Sequence, residues 1–214
     1  MRLFILTFLL TFTSISLNAQ DWSTEKHQYG KLYEGYVIDN EGNKIEGFIK
    51  YRNRYIMQLE VIFFKVNDSK SPKKKYLAQN LSEYKVADKL YRVIPHSGGA
   101  GMLMRGNLVV NGEGCIKEYV WYKRSSSYNK LKKRQGELDE DFAERKFPST
   151  HIYFKDGDGS AITKTYFKDD FAKKMSKYVS INKVLAKKVK SKKNGYTKLL
   201  DIDRIFEEYN KDCQ

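Results

Sequence analysis

The chain has 214 residues, 40 of them Lys or Arg and 26 Asp or Glu, for a formal net charge of +14. That length suits one sizeable domain whose core needs no disulfide staples, which excludes a small stapled scaffold. The basic surplus favours attraction to polyanions at long range, or simply a solvated surface, and leaves the fold undetermined.

Residues 1–19 read as a removable export signal. Arg2 supplies a positive start, residues 3–15 an apolar run, and Leu17-Asn18-Ala19 a small residue at the cut. Cleavage after Ala19 would leave Gln20 first and remove only Arg2 among the charges, for a net +13. The apolar run is shorter than the roughly 20 residues that span a bilayer. No transmembrane segment is therefore expected in the mature chain, and the protein is expected in the periplasm or outside the cell.

Residues 20–167 read as a β-rich domain. A first hairpin joins 33–38 to 44–51 across Asp39-Asn40-Glu41-Gly42-Asn43, with Ile45, Gly47, Ile49 and Tyr51 on one face of its second strand and Lys44, Glu46 and Lys50 on the other. Further strands are expected at 58–65, 81–86 and 90–94, with 67–75 a lysine-rich solvated loop around Pro72. A second hairpin joins 108–110 to 115–123 across Asn111-Gly112-Glu113-Gly114. Residues 124–147 carry opposite charge blocks, read as a self-paired loop or short helix outside the core. A third hairpin joins 151–155 to 161–167 across Asp156-Gly157-Asp158-Gly159. With 16 Tyr and 12 Phe to pack on pleated surfaces, this predicts an antiparallel sheet or partly closed barrel of about eight or nine strands.

The pattern then turns helical, and 168–214 read as a tail packed on the sheet. Phe171, Met175 and Tyr178 fall at i, i+4 and i+7 behind Asp169 and Asp170; Ile181, Val184, Leu185 and Val189 continue the face. After Asn194-Gly195, Asp201 is placed to cap a last helix carrying Ile202, Ile205, Phe206 and Tyr209. The fold class is α+β with segregated elements.

The order of these features resembles a group of uncharacterised exported β-rich proteins of Bacteroidota. The resemblance rests on Gly35-Tyr36-Val37-Ile38-Asp39, Ile45-Glu46-Gly47-Phe48-Ile49-Lys50-Tyr51-Arg52-Asn53 and the closing Tyr209-Asn210 with Cys213. It implies a β-rich domain closed by helices and no particular activity. Relatives often place a cysteine near the start of the first tail helix, where Asp169, Asp170 and Phe171 stand here; the resemblance thus argues against a disulfide within the tail and leaves Cys115 as the sole candidate for an intramolecular partner of Cys213.

Few residues point to chemistry. His27, His96 and His151 are far apart and none has a metal-ligand spacing. Cys115 and Cys213, the two cysteines, are either bridged or separately packed; a bridge would stabilise the fold by up to about 4.7 kcal/mol in the chain-entropy model. Residues 95–101 are glycine-rich but lack the ending of a phosphate loop, and Asp156, Asp158 and Ser160 begin a calcium-like spacing that Ala161 and Phe167 break. No cofactor or metal is expected. Between residues 168 and 193 ten lysines stand against Asp169 and Asp170, making Lys183, Lys187, Lys190, Lys192 and Lys193 a candidate polyanion-binding set.

The expected function is that of an exported envelope protein, a non-enzymatic binding or structural module. A small hydrolase of an envelope polymer and a lysine-rich polyanion binder are the alternatives. Acidic envelope polymers or an anionic lipid surface are the expected partners, without specific nucleic-acid recognition.

Overall fold

The structure, a computed structural model, describes residues 27–98, 101–192 and 195–213, so the expected export signal and Lys193 lie outside the described residues. Ten strands form one open antiparallel sheet: β1 (Leu32–Asp39), β2 (Lys44–Lys50), β3 (Glu60–Phe64), β4 (Lys73–Leu77), β5 (Leu81–Val86), β6 (Lys89–Gly98), β7 (Gly101–Asn111), β8 (Ile116–Tyr122), β9 (Ser149–Lys155) and β10 (Ile162–Thr163). A short helix α1 (Arg54–Met57) precedes β3, α2 (Asp139–Lys146) lies between β8 and β9, and α3 (Phe171–Tyr178), α4 (Lys183–Lys190) and α5 (Ile202–Asp212) form the tail. The α+β class, a sheet followed by helices, is as the sequence predicts.

The β1–β2 turn forms because the Asp39 side chain accepts hydrogen bonds from the backbone of Glu41 (3.0 Å) and Asn43 (2.8 Å), while Gly42 takes a left-handed φ of +88°. Across the sheet the order is β10-β9-β8-β7-β6-β5-β1-β2-β3-β4. Strand β5 therefore lies four places from β4, yet the 3-10 turn Ala78–Asn80 is all that joins them. In a flat sheet four steps would be about 19 Å, whereas the four virtual bonds from Leu77 to Leu81 reach at most about 14 Å. The sheet must curl to connect them. Its concave face closes over Val37, Ile49, Met57, Val61, Tyr76, Leu81, Tyr84, Tyr91, Leu108, Val120 and Tyr122, all buried.

The concave core is keyed by polar contacts at and just after α1. Gln58, wholly buried, donates Nε2 to the Tyr122 carbonyl (2.8 Å) and accepts the Tyr122 N–H (2.6 Å), while its own carbonyl accepts from Gly106 (3.0 Å). The Tyr84 hydroxyl donates to the Met57 carbonyl, and its ring stacks on Tyr91 at 4.8 Å. A Cβ at Gly106 would overlap that hydroxyl, which is why glycine interrupts β7 there. Arg54 is buried, with Nη2 on Glu140 (2.8 Å), Nη1 on Glu144 (3.1 Å) and its guanidinium over the Tyr122 ring. These pairs compensate a charge that would otherwise be costly inside.

Several expectations need correction. The sheet has ten strands, not eight or nine: β4 runs through the lysine-rich stretch read as loop, where Tyr76 points into the core while Lys73, Lys74 and Lys75 are exposed. A lysine-rich edge strand escapes an alternation search because its outward residues blunt the edge against further pairing. The glycine-rich stretch after Ile94 continues β6 and β7 as a hairpin, pairing Ser97 with Met102. β10 is only two residues long, because residues Lys164–Phe167 coil into a 3-10 turn. The 124–147 excursion is not outside the core: Ala143 and Phe147 are buried and α2 supplies two carboxylates to Arg54. It is also self-paired, through Arg145 with Glu137 and Lys133 with Asp139.

In the tail, Phe171, Met175, Leu185, Val189, Ile202, Ile205, Phe206 and Tyr209 are buried together with Phe167. Ile181 and Val184 are 77% and 68% exposed, so the α4 face is narrower than expected and rests on Leu185 and Val189. Asp170 sits in the left-handed region without capping α3, and the Asp201 carboxylate accepts from Thr197 and Lys198, closing the 3-10 turn ahead of α5.

Candidate functional site

Strand β8 builds the candidate site by alternation. Ile116, Glu118, Val120 and Tyr122 share one face, and the β9 register puts Lys155, Tyr153, His151 and Ser149 opposite them. Val120 and Tyr122 belong to the concave core, whereas Ile116 and Tyr153 pack under the tail helices. Two separate cores thus stand on the same face of the strand pair. Glu118 and His151, on the diagonal between them, face a hollow of about 540 Å³.

Val110 from β7, Lys123, Thr150, Thr163, Lys164, Thr165 and Asp203 from α5 complete the wall. His151 Nδ1 lies 2.6 Å from Glu118 Oε1. The Tyr153 hydroxyl donates to Asp203 (3.2 Å), and Lys164 pairs with the same carboxylate at 3.0 Å. Burial, then the Glu118 and Asp203 carboxylates, push the Tyr153 phenol far above its ordinary range, so it remains a donor at any physiological pH. The Thr163 and Thr165 hydroxyls share a 2.5 Å hydrogen bond. The result is a row of fixed donors and acceptors, Glu118 with His151 and Asp203 with Lys164, with Lys123 at the wall beside them.

Of the residues singled out from sequence, His151 alone lies in this hollow. His27 pairs with Asp88 (3.2 Å) between the rings of Tyr33 and Tyr51, and the His96 side chain lies outside the described residues. Cys115 and Cys213 are bridged, with Cα atoms 6.2 Å apart, rather than separately packed. Beside the bridge, Asn210 accepts the Ile116 N–H and donates to the Ile116 carbonyl, both at 2.8 Å. Asp156 pairs with Lys117 (2.7 Å) in the β9–β10 turn, and among the described residues no group of three His, Cys, Asp or Glu is placed to hold a metal ion.

Lys183, Lys187 and Lys190 are exposed on α4, and Lys192 follows it with a φ of +53°. They are not gathered around a hollow of their own. The hollow beside α4 takes in Lys183 and Lys188 but also Glu208 and Asp212, and Lys188 is paired with Glu208 (2.5 Å).

Glu118, Tyr153, Lys164 and Asp203 were not singled out by sequence reasoning. One signal was readable: Glu118 stands between Ile116 and Val120 on an otherwise apolar face. Its meeting with Asp203, 85 residues on, depends on how the tail docks. Compared with known proteins, the chain matches no family model, no curated protein and no solved structure. No helix among the described residues is long and apolar enough to cross a membrane.

Proposed function

We propose that this is an exported binding module of the cell envelope that holds an uncharged polar segment of an envelope glycan in the hollow between the two cores. The observation that carries the reading is the pairing of Glu118 with His151 and Asp203 with Lys164 around hydroxyls of Tyr153, Thr163 and Thr165. Such a wall offers several directional hydrogen bonds held in fixed positions, which suits the hydroxyls of a sugar. Export is supported by the sequence of residues 1–19, and the Cys115–Cys213 bridge suits an oxidising compartment. The similarity to exported Bacteroidota proteins belongs to the same reading.

The hydrolase alternative draws on one observation: a histidine held by a carboxylate through Nδ1 is the arrangement of an oriented general base. One experiment separates the two. Soluble envelope glycan fragments are titrated calorimetrically into wild-type, H151Q and D203N protein, and the mixtures are then chromatographed for products. A binding module gives saturable binding, weakened at least about tenfold in D203N by loss of charged hydrogen bonds, and unchanged fragments. Products that disappear in H151Q would replace this reading with the enzymatic one, and absence of binding to any uncharged fragment would sink it. N-terminal sequencing from the native host should begin at Gln20.

Anionic polymers gathered by the tail lysines are the remaining reading, supported by the exposure of Lys183, Lys187 and Lys190 along one helix. Replacing all three with Glu tests it: weakened, salt-dependent retention on an acidic polymer supports it, and unchanged retention leaves the lysines as a solubilising surface.

A further inference from the structure

A second hollow, of about 360 Å³, lies on the convex side of β2, β3 and β4 and is lined by Tyr29, Gly30, Lys50, Arg52, Ile62, Phe64, Ser69 and Lys73. The register explains the set. Phe48 pairs with Phe64, and Phe64 with Lys73, so these three side chains project on the same side. Lys50 is two residues from Phe48 and Ile62 two from Phe64, which puts both on that side too, opposite the core residues Ile49, Val61 and Phe63. Tyr29 and Gly30 form one wall and Ser69, on the β3–β4 loop, another.

The charge in this hollow is one-sided. Among the described residues no carboxylate lines it. Arg52 and Lys75 share Glu60 between them, which leaves one positive charge in that trio. Lys50 and Lys73 have no carboxylate partner among the described residues, so each adds a full charge at the rim. Around them stand the hydroxyls of Ser69 and Tyr29, and below them the apolar surface of Ile62 and Phe64. Here three net charges converge on a concavity, unlike the tail lysines on their convex helix.

We propose that this hollow is a binding site for a phosphomonoester carried on a sugar or apolar body. A phosphomonoester carries about −1.5 to −2 charges at neutral pH and three acceptor oxygens. That charge matches Lys50 and Lys73 together, whereas a carboxylate would leave one lysine unanswered. The remaining N–H groups of Arg52 and the two hydroxyls are donors for its oxygens, and the half-buried Ile62, backed by the buried Phe64, gives the body of the ligand an apolar floor. The site shares no residue with the hollow at Glu118 and His151, so it stands or falls separately from the glycan reading.

The test titrates the purified full chain with inorganic phosphate, a hexose 6-phosphate and vesicles of phosphatidylcholine with or without phosphatidic acid, followed by calorimetry and, for vesicles, co-sedimentation. Saturable binding of a phosphomonoester is expected, weakened about tenfold or more in K50Q/K73Q, restored in part by K50R/K73R, and changed less than about twofold in K183Q/K187Q/K190Q. Hexose phosphate binding tighter than inorganic phosphate, with the same loss in K50Q/K73Q, assigns a soluble or glycan-borne ester. Binding confined to phosphatidic acid vesicles, with that loss, assigns a lipid headgroup. No saturable binding of any probe, binding unaltered in K50Q/K73Q, or an equal loss in the tail triple variant overturns the site. Lys73 is exposed and Lys50 half-buried, and circular dichroism melts matching wild type show that a loss is not unfolding.

Discussion

The Gln58 side chain completes the ladder of Tyr122: its amide gives and takes the two hydrogen bonds, 2.8 Å and 2.6 Å, that a neighbouring strand residue would. At the other end of β8, Asn210 does the same for Ile116. Strand β7 pairs with β8 only from Glu118 to Val120, so both ends of β8 would otherwise hold unpaired backbone groups inside the protein. Two side-chain amides, one from the residue that closes α1 and one from α5, take the place of the missing strand.

Gln58→Leu keeps the volume and removes both bonds. With an N–H and a carbonyl left unsatisfied in the core, the loss should be about 2–4 kcal/mol. Urea unfolding should show a lower midpoint with an unchanged slope; a midpoint within error of wild type would mean that water reaches Tyr122.

Gly106→Ala should be destabilising by about 1–3 kcal/mol, because the new methyl meets the Tyr84 hydroxyl. Removing that hydroxyl in Tyr84→Phe takes away the closest contact, leaving ring carbons at 2.6 and 2.7 Å, and should recover part of the loss in the double variant. A double-mutant cycle with no coupling would place the strain elsewhere.

The Cys115–Cys213 bridge closes a span of 98 residues beside the Asn210–Ile116 clip. Replacing both cysteines with serine should cost about 2–5 kcal/mol. Adding Asn210→Ala should cost less than the sum of the separate effects, since each change loosens the same end of α5. Hydrogen exchange should show α5 opening before the concave core; simultaneous opening would contradict a local latch.

The Glu137 carboxylate accepts from Arg145 Nε (2.6 Å) and Nη2 (2.8 Å) and from the Arg134 backbone, and these bonds, Arg145 first, lower its pKa to about 2. A carboxylate whose pKa is lowered on folding adds stability above its unfolded pKa of about 4.3 and loses it as the pH falls toward the folded value. The melting temperature of wild type should therefore exceed that of Glu137→Gln at pH 6, and the two should converge between about pH 4 and pH 2. A gap that persists at pH 2 would assign the effect to packing.

Alternation made most strands legible: 81–86 coincides with β5, and the turn chemistry of Asp39 and Gly42 marks the first hairpin correctly. The two amide clips were not legible, because Gln58 and Asn210 carry no local pattern and their partners lie 64 and 94 residues away. Arg54 was hidden for the same reason, its carboxylates sitting in a segment whose charge blocks look self-sufficient. At the candidate site His151 was visible as a residue type, while Asp203 reaches it through tail docking that no short-range periodicity encodes and Lys164 arrives just after the short β10. The second hollow depends on the register of β4, a strand its own lysines concealed.

The three residues between β4 and β5 act as a drawstring on the first half of the sheet. Insertions in the loops at 65–72 or 124–138 would lengthen surface excursions and leave the strands where they are, at a small entropic charge. An insertion at 78–80 has no such neutrality: slack there removes the constraint that bends five strands around Tyr84 and Tyr91, and the interior becomes free to relax toward a flatter sheet open to water. Chains sharing this architecture should accordingly vary in length almost anywhere along the surface except at that turn.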